Sequence, residues 1–307
     1  MKINKFHCYS VLFFSLLIVA GLGCKVRVPS TESSAVVTVF EPNSTYASMR
    51  IPALVVSKKG TLLAFCEGRI STASDWADMD ILLKRSTDGG KTWLKEQVVA
   101  PRMDHQPTSN ATPIVDRDGT IHLLYQRNYA KAFYTRSTDD GRTWSQAVDI
   151  TYVFEKFRPA FNWQVLAPGP GHSIQLANGR LVVPVWMADP DKLLPHKSHR
   201  PSCIATIYSD DLGKTWQNGE IISINNPEFK NPSETVAVQL NDGRVMLNIR
   251  NETAVRRRGI SFSADGAKNW TVPVFDQALY EPICMASLIA LPRESRGGKT
   301  ALLFINP

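Results

Sequence analysis

The sequence predicts an all-β fold, a six-bladed β-propeller of which 307 residues supply four to five blades. Three observations carry that expectation. A turn motif returns four times, apolar runs of strand length lie before and between its copies, and no stretch shows the periodicity of a long helix.

The motif is Ser-x-Asp-x-Gly-x-Thr-Trp. It occurs as STDGGKTW (86–93), STDDGRTW (137–144) and SDDLGKTW (209–216), with a weakened copy, SADGAKNW (263–270). The starting serines lie 51, 72 and 54 residues apart, which suits one four-stranded sheet per repeat. The Asp side chain can accept bonds from the turn's own N–H groups. The Gly takes a φ other residues resist, and the Trp is expected to cap the turn against the next strand. Asp88, Asp139 and Asp211 are therefore read as structural.

The strand-like runs follow in order. RIPALVVS (50–57), TLLAFCE (61–67) and DILLKR (80–85) lead into the first turn. TPIVD (112–116), IHLLYQR (121–127) and KAFYTR (131–136) lead into the second, RLVVPVWM (180–187) and CIATIY (203–208) into the third, and RVMLNIR (244–250) and GISF (259–262) into the fourth. ALLFIN (301–306) comes last. Gly-bearing turn signals such as KKG, DRDG, ANG and NDG separate them.

The N-terminal 24 residues read as an export signal, with a basic start, MKINK, before the apolar run VLFFSLLIVAGLG. The run AGLGC resembles a bacterial lipobox, although Gly21 stands where Leu is usual, and makes Cys24 the candidate lipidation site. Residues 25–37 would be a polar tether and 38–307 the propeller. The expected location is the bacterial cell envelope or the outside of the cell, with membrane contact only through the lipid anchor. The formal net charge of +7 comes from scattered cations. It favours anionic ligands and gives no nucleic-acid footprint. Of five cysteines, Cys66, Cys203 and Cys284 remain in the mature region, an odd, widely spaced set that suggests small buried hydrophobes. No Cys/His spacing suggests a metal site, and no cofactor is expected.

The four Asp-box turns occur with RIPAL (50–54), LLAFCEGR (62–69), PGPGHSIQLANGRLVVP (168–184), SETVAVQLNDGRVMLNIR (233–250) and LLFINP (302–307). Together they resemble the bacterial exo-sialidases with Asp-box (BNR) repeats, from about residue 38 to the last. The resemblance implies hydrolysis of terminal sialic acids from glycoconjugates with retention. The substrate's permanently ionised carboxylate suits guanidinium groups, and Arg50 and Arg250 match two members of the family's arginine triad. Arg69 matches the arginine that helps bind the sugar. Asp75, in ASDW, matches the acid/base, while Asp78 and Asp80 are read as capping or orienting the strand beside them. Glu234 matches the base that activates a tyrosine nucleophile, a departure from paired carboxylates. Asn110 falls where the family has a residue near the acyl-amino group. Trp76 walls the pocket or packs beneath its loop, His172 sits in a glycine-rich turn near the rim, and Arg256–Arg258 form a solvated basic edge.

The sequence departs from the family in its span. In the family the third triad arginine and the nucleophilic tyrosine come later than LLFINP, so both are expected beyond residue 307, and none of the present tyrosines has a matching context. A non-catalytic sialoside-binding surface propeller, a lectin or adhesin, is the alternative. An Asp-box glycosidase for another sugar leaves the arginines unexplained.

Overall fold

The computed structural model describes residues 36–190, 198–291 and 301–307; the segment read as an export signal and Cys24 lie outside them. From residue 37 onward the described residues form one compact unit of antiparallel sheets in propeller arrangement. The first sheet contains β1 (Ser48–Val56), β2 (Leu62–Arg69), β3 (Met79–Ser86) and β4 (Gln97–Ala100). The second contains β5 (Thr108–Val115), β6 (Ile121–Arg127), β7 (Lys131–Ser137) and β8 (Val148–Asp149). A one-turn helix, α1 (Tyr152–Glu155), leads to the third.

The third sheet orders β10 (Ile174–Gln175), β11 (Leu181–Ala188), β12 (Ser202–Ser209) and β13 (Gln217–Ile224), with β9 (Val165–Pro168) as a fifth strand on β11. β14 (Thr235–Gln239), β15 (Val245–Ile249), β16 (Arg257–Ser263) and β17 (Val274–Tyr280) make the fourth. β18 (Ser287–Leu291) and β19 (Ala301–Ile305) form a two-stranded fifth. Leading strands of successive sheets adjoin: β1 meets β5, β5 meets β9 and β10, and β14 meets β18.

The middle strands of the third sheet are apolar on both faces because that sheet packs against the second on one side and the fourth on the other. Every residue of β11 and β12 is buried, which accounts for the unbroken run LVVPVWMA where a half-exposed strand would alternate. Between the first two sheets, Leu63, Phe65, Ile81 and Leu83 pack with Ile121, Leu123 and Tyr125. Val182, Ile204, Ala237, Val245 and Leu247 join the third and fourth.

The repeated turns share one bonding scheme. In the second, Asp139 Oδ1 accepts from the Ser137 hydroxyl (2.8 Å) and the Thr143 N–H (2.9 Å), and Oδ2 accepts from the Thr143 hydroxyl (2.6 Å). The Ser137 hydroxyl oxygen accepts from the Gly141 N–H at 2.9 Å. Asp88 and Asp211 repeat the pattern. In the fourth copy Asp265 instead holds the N–H groups of Ala267 and Lys268, because Asn269 replaces the threonine whose hydroxyl closes the others.

In the second and third copies the motif's tryptophan reaches back to the preceding sheet rather than forward to the next strand. Trp144 lies edge-on to Phe65 of β2 with ring centroids 6.1 Å apart, and Trp216 to Tyr134 of β7 at 5.5 Å. The turn therefore docks one sheet on the one before it. Gly141 shows why the site excludes a side chain. Its φ is +76°, and a Cβ there would lie 2.6 Å from the Leu63 Cδ2. Gly141→Ala is expected to cost about 2 kcal/mol or more, from the left-handed backbone and the clash. A thermal melt should fall by several degrees, whereas Gly60→Ala, with open space around its Cβ position, bears only the backbone part.

Candidate active site

One cavity of about 280 Å³ is lined by Arg50, Arg69, Asp75, Asn110, Glu234 and Arg250, residues contributed by three sheets. β1 carries Arg50 just before a bulge in its pairing with β2. Ile51, the next residue, has φ +53°, an unusual state for a β-branched residue that accompanies the change of register. Arg50 Nη1 donates to the Ala73 carbonyl at 2.9 Å, and Arg69 Nη1 donates to the same oxygen. Two guanidinium groups thus pin the loop that presents Asp75.

Glu67 and Arg69 sit two apart on β2, so they share one face of the strand. Both are 1% exposed. Glu67 Oε2 accepts from Arg69 Nε (3.1 Å) and Nη2 (2.5 Å), and its Oε1 accepts from the Asn110 N–H at 3.0 Å. Arg69 Nη1 reaches Asp75 Oδ1 at 2.9 Å, where the Asp75 side chain is 42% exposed. Burial lowers the proton affinity of Arg69, but the Glu67 and Asp75 carboxylates outweigh it and keep the guanidinium charged. Burial pushes Glu67 above the usual carboxylate range against the opposing effect of Arg69.

On the other side, Arg250 follows the end of β15 and pairs through Nη1 with Glu234 Oε2, at the entrance to β14. Backbone bonds lock the two together: the Arg250 N–H donates to the Glu234 carbonyl and the Ser233 N–H to the Arg250 carbonyl, both at 3.1 Å. Burial disfavours the Arg250 charge, yet Glu234 holds its pKa above the ordinary value. Arg200 and Glu252 form a further cation–carboxylate pair on the wall.

The remaining sequence candidates lie elsewhere. Asp80 is 4% exposed and accepts from the Tyr46 hydroxyl, the Arg102 N–H and Arg102 Nη1, at 2.8, 2.6 and 2.8 Å. Asp78 pairs with His105 at 2.9 Å. His172 is half-buried off the cavity wall. Trp76 packs on Tyr129 (4.6 Å between centroids) and His199 (5.5 Å), beneath the Asp75 loop. The basic run requires a correction: Arg256 is exposed, but Arg258 is 0% exposed and pairs with Glu281 at 2.7 Å, because its position on β16 faces the interior.

Sequence reasoning missed Glu67, Tyr129, Trp186 and His199, all on the cavity wall. The i, i+2 spacing of Glu67 and Arg69 was the available signal for the first. Trp186 stood only as part of the strand run RLVVPVWM, and Tyr129 and His199 lie in no motif. His199 sits between Trp76, Tyr129 and Trp186, at centroid distances of 5.5, 4.7 and 5.1 Å. Desolvation lowers its pKa to about 4. The folded protein therefore holds a neutral imidazole that the unfolded chain would protonate near pH 6.5. This contribution to stability is complete above that pH and is lost as pH falls toward 4, by on the order of 3 kcal/mol. Melting temperature should decline across that window, and His199→Phe should flatten the decline.

Among the described residues, no cluster of three or more His, Cys, Asp or Glu is arranged to hold a metal, and no helix is long and apolar enough to cross a membrane.

Comparison with known proteins gives concordant results. A family model for a BNR repeat-like domain matches residues 60–295. The chain is 31% identical to a sialidase of Bacteroides fragilis, over 85% of this chain and 50% of that protein. It is 33% identical to a sialidase of Micromonospora viridifaciens, over 85% and 42%, and 32% identical to Sialidase-3 of Bos taurus, over 81% and 63%. The structure of the Hadza microbial sialidase Hz136 superposes with a TM-score of 0.70 at 28% identity, covering 85% of this chain and 53% of that one. The chain thus spans about half the length of the two bacterial relatives. Its repeated turns, its sheet architecture and these matches place the chain in the sialidase family with BNR (Asp-box) repeats.

Proposed function

We propose that this protein is an exo-sialidase that removes terminal sialic acids from glycoconjugates with retention. The observation that carries this reading is the convergence of Arg50, Arg69 and Arg250 with Asp75 and Glu234 in one cavity, although they span 200 residues of sequence. Arg50 and Arg250 receive the sugar's carboxylate, since planar, permanently charged forks match it. Arg69 holds Asp75 in place and contributes its charge to the sugar site. Asp75, on the more open side, protonates the leaving oxygen and then activates water. Asn110 faces the acyl-amino group. Glu234 is the base for a tyrosine nucleophile, a neutral attacking group that avoids the repulsion a carboxylate would meet. Tyr129 is not assigned that role: burial, followed by the charges of Glu67 and Asp75, raises its hydroxyl well above the usual range.

Export and acylation at Cys24 belong to the same reading and place the enzyme on the cell envelope. Mass spectrometry of the mature N-terminus tests this directly. The activity is tested with the full-length protein and a sialoside, following the sugar released by proton NMR. First appearance of the α-anomer is expected. The β-anomer would overturn retention, and saturable binding without release would establish the lectin alternative.

A further inference from the structure

Glu281 and Arg258 form the most deeply buried ion pair among the described residues, 0% exposed on both sides, and neither lines the cavity. We propose that this pair is a positioning clamp that sets one wall of the cavity, and through it the affinity for the substrate. Glu281 Oε1 accepts from the N–H groups of Ile283 (2.7 Å) and Cys284 (3.2 Å), and both residues line the cavity. Its Oε2 accepts from Arg258 Nη1 (2.7 Å) and from the N–H of Asn251 (3.2 Å), the residue after Arg250. Arg258 Nη1 also donates to the Cys284 carbonyl at 2.9 Å, and its Nε to Asn248 Oδ1 at 2.6 Å. One carboxylate therefore ties the wall at 283–284 to the strand end that carries Arg250.

Two features separate this role from simple stabilisation. A buried ion pair is a weak source of stability, because desolvating both charges offsets their attraction and a well-packed apolar pair is often as stable. Ile283 also has φ +62°, a strained state for a β-branched residue that persists only where its surroundings over-determine it. The Glu281 oxygen bonded to its N–H supplies that constraint.

The inference that affinity depends on the clamp rests on the sialoside reading of the cavity, so the test pairs a ligand readout with one that needs no ligand. In the double variant R258M/E281Q both charges are gone and no ion is left unpaired. An amide has a single acceptor oxygen, so it can hold the wall or Asn251 but not both. The full-length double variant should still fold, with a melting temperature lowered by several degrees at most for the buried polar groups that lose a partner, yet bind sialyllactose about tenfold more weakly. Cys284, half-buried, should react with a maleimide about tenfold faster, as located by peptide mapping; the other described cysteines, Cys66 and Cys203, are buried. Glu281→Asp, which keeps the charge but shortens the reach, should show both effects more weakly and serves if the double variant does not fold. A folded variant with unchanged affinity and unchanged labelling overturns the clamp. Faster labelling in a protein whose wild type binds no sialyllactose upholds the clamp and overturns the sialoside reading instead.

Discussion

Asp75→Ala is expected to lower turnover of a sialoside with an alcohol leaving group by about 10²- to 10⁴-fold, the range that a positioned general acid contributes. An aryl sialoside should suffer much less, because a phenolate leaves with little protonation. The two substrates together separate loss of the acid from damage to the site. The fold should be little affected: the Asp75 side chain is 42% exposed, and Arg69 keeps its bonds to Glu67 when Asp75 is removed. Steady-state kinetics on both substrates checks this. Equal losses on the two would point to disorder in the loop, and an unchanged rate on the alcohol-type substrate would remove Asp75 from the mechanism.

Arg250→Ala is expected to weaken sialoside binding by at least about 100-fold. A bidentate carboxylate contact comprises two charge-assisted hydrogen bonds, each worth roughly 1.5–3 kcal/mol, and about 1.4 kcal/mol is tenfold in affinity. Arg250→Lys keeps the charge but loses the planar fork, so a loss nearer tenfold is expected. The contact is isolated by adding a ligand in which the sugar carboxylate is replaced by its amide. Wild type should discriminate strongly between acid and amide, and Arg250→Ala should not. Isothermal titration of the four combinations gives the coupling, and a mutant that still prefers the acid as strongly as wild type would place the carboxylate elsewhere. Glu234 loses its ion-pair partner in this variant, so a thermal melt accompanies the titration to show that binding is lost by a folded protein.

The fold was legible because its signal is local and repeated. Ser137, Asp139, Gly141 and Thr143 satisfy one another within a single turn, so the requirement appears as contiguous letters in each copy. What lies against the turn was not legible. Trp144 docking backward on Phe65 and Gly141 pressed against Leu63 are contacts between sheets, and residue spacing carries no direction for them. The same holds for β9, whose pairing with β11 adds a fifth strand where the repeat suggested four.

The site divided in the same way. Arg50, Arg69, Asp75, Glu234 and Arg250 stand in recognisable motifs, so their candidacy preceded the structure, but a motif does not say which charges neighbour one another. Arg69 read as a sugar ligand, yet its guanidinium lies between Glu67 and Asp75. Arg258 read as part of a solvated edge and instead lies buried against Glu281. In both cases the partner carboxylate is what makes burial of the cation tolerable. That partner is two residues away on the same strand for Arg69 and 23 residues away for Arg258.

By itself, then, the sequence determined the repeated turn, the strand content and the types of side chain available for an anionic ligand, because each depends on neighbours a few residues apart. The tertiary structure decided which cations face the cavity, which are consumed by internal carboxylates, and how Glu281 links its wall to Arg250. Those outcomes follow from burial and from electrostatic pairing between distant segments, and only the folded chain brings the two charges of a pair within a few ångströms.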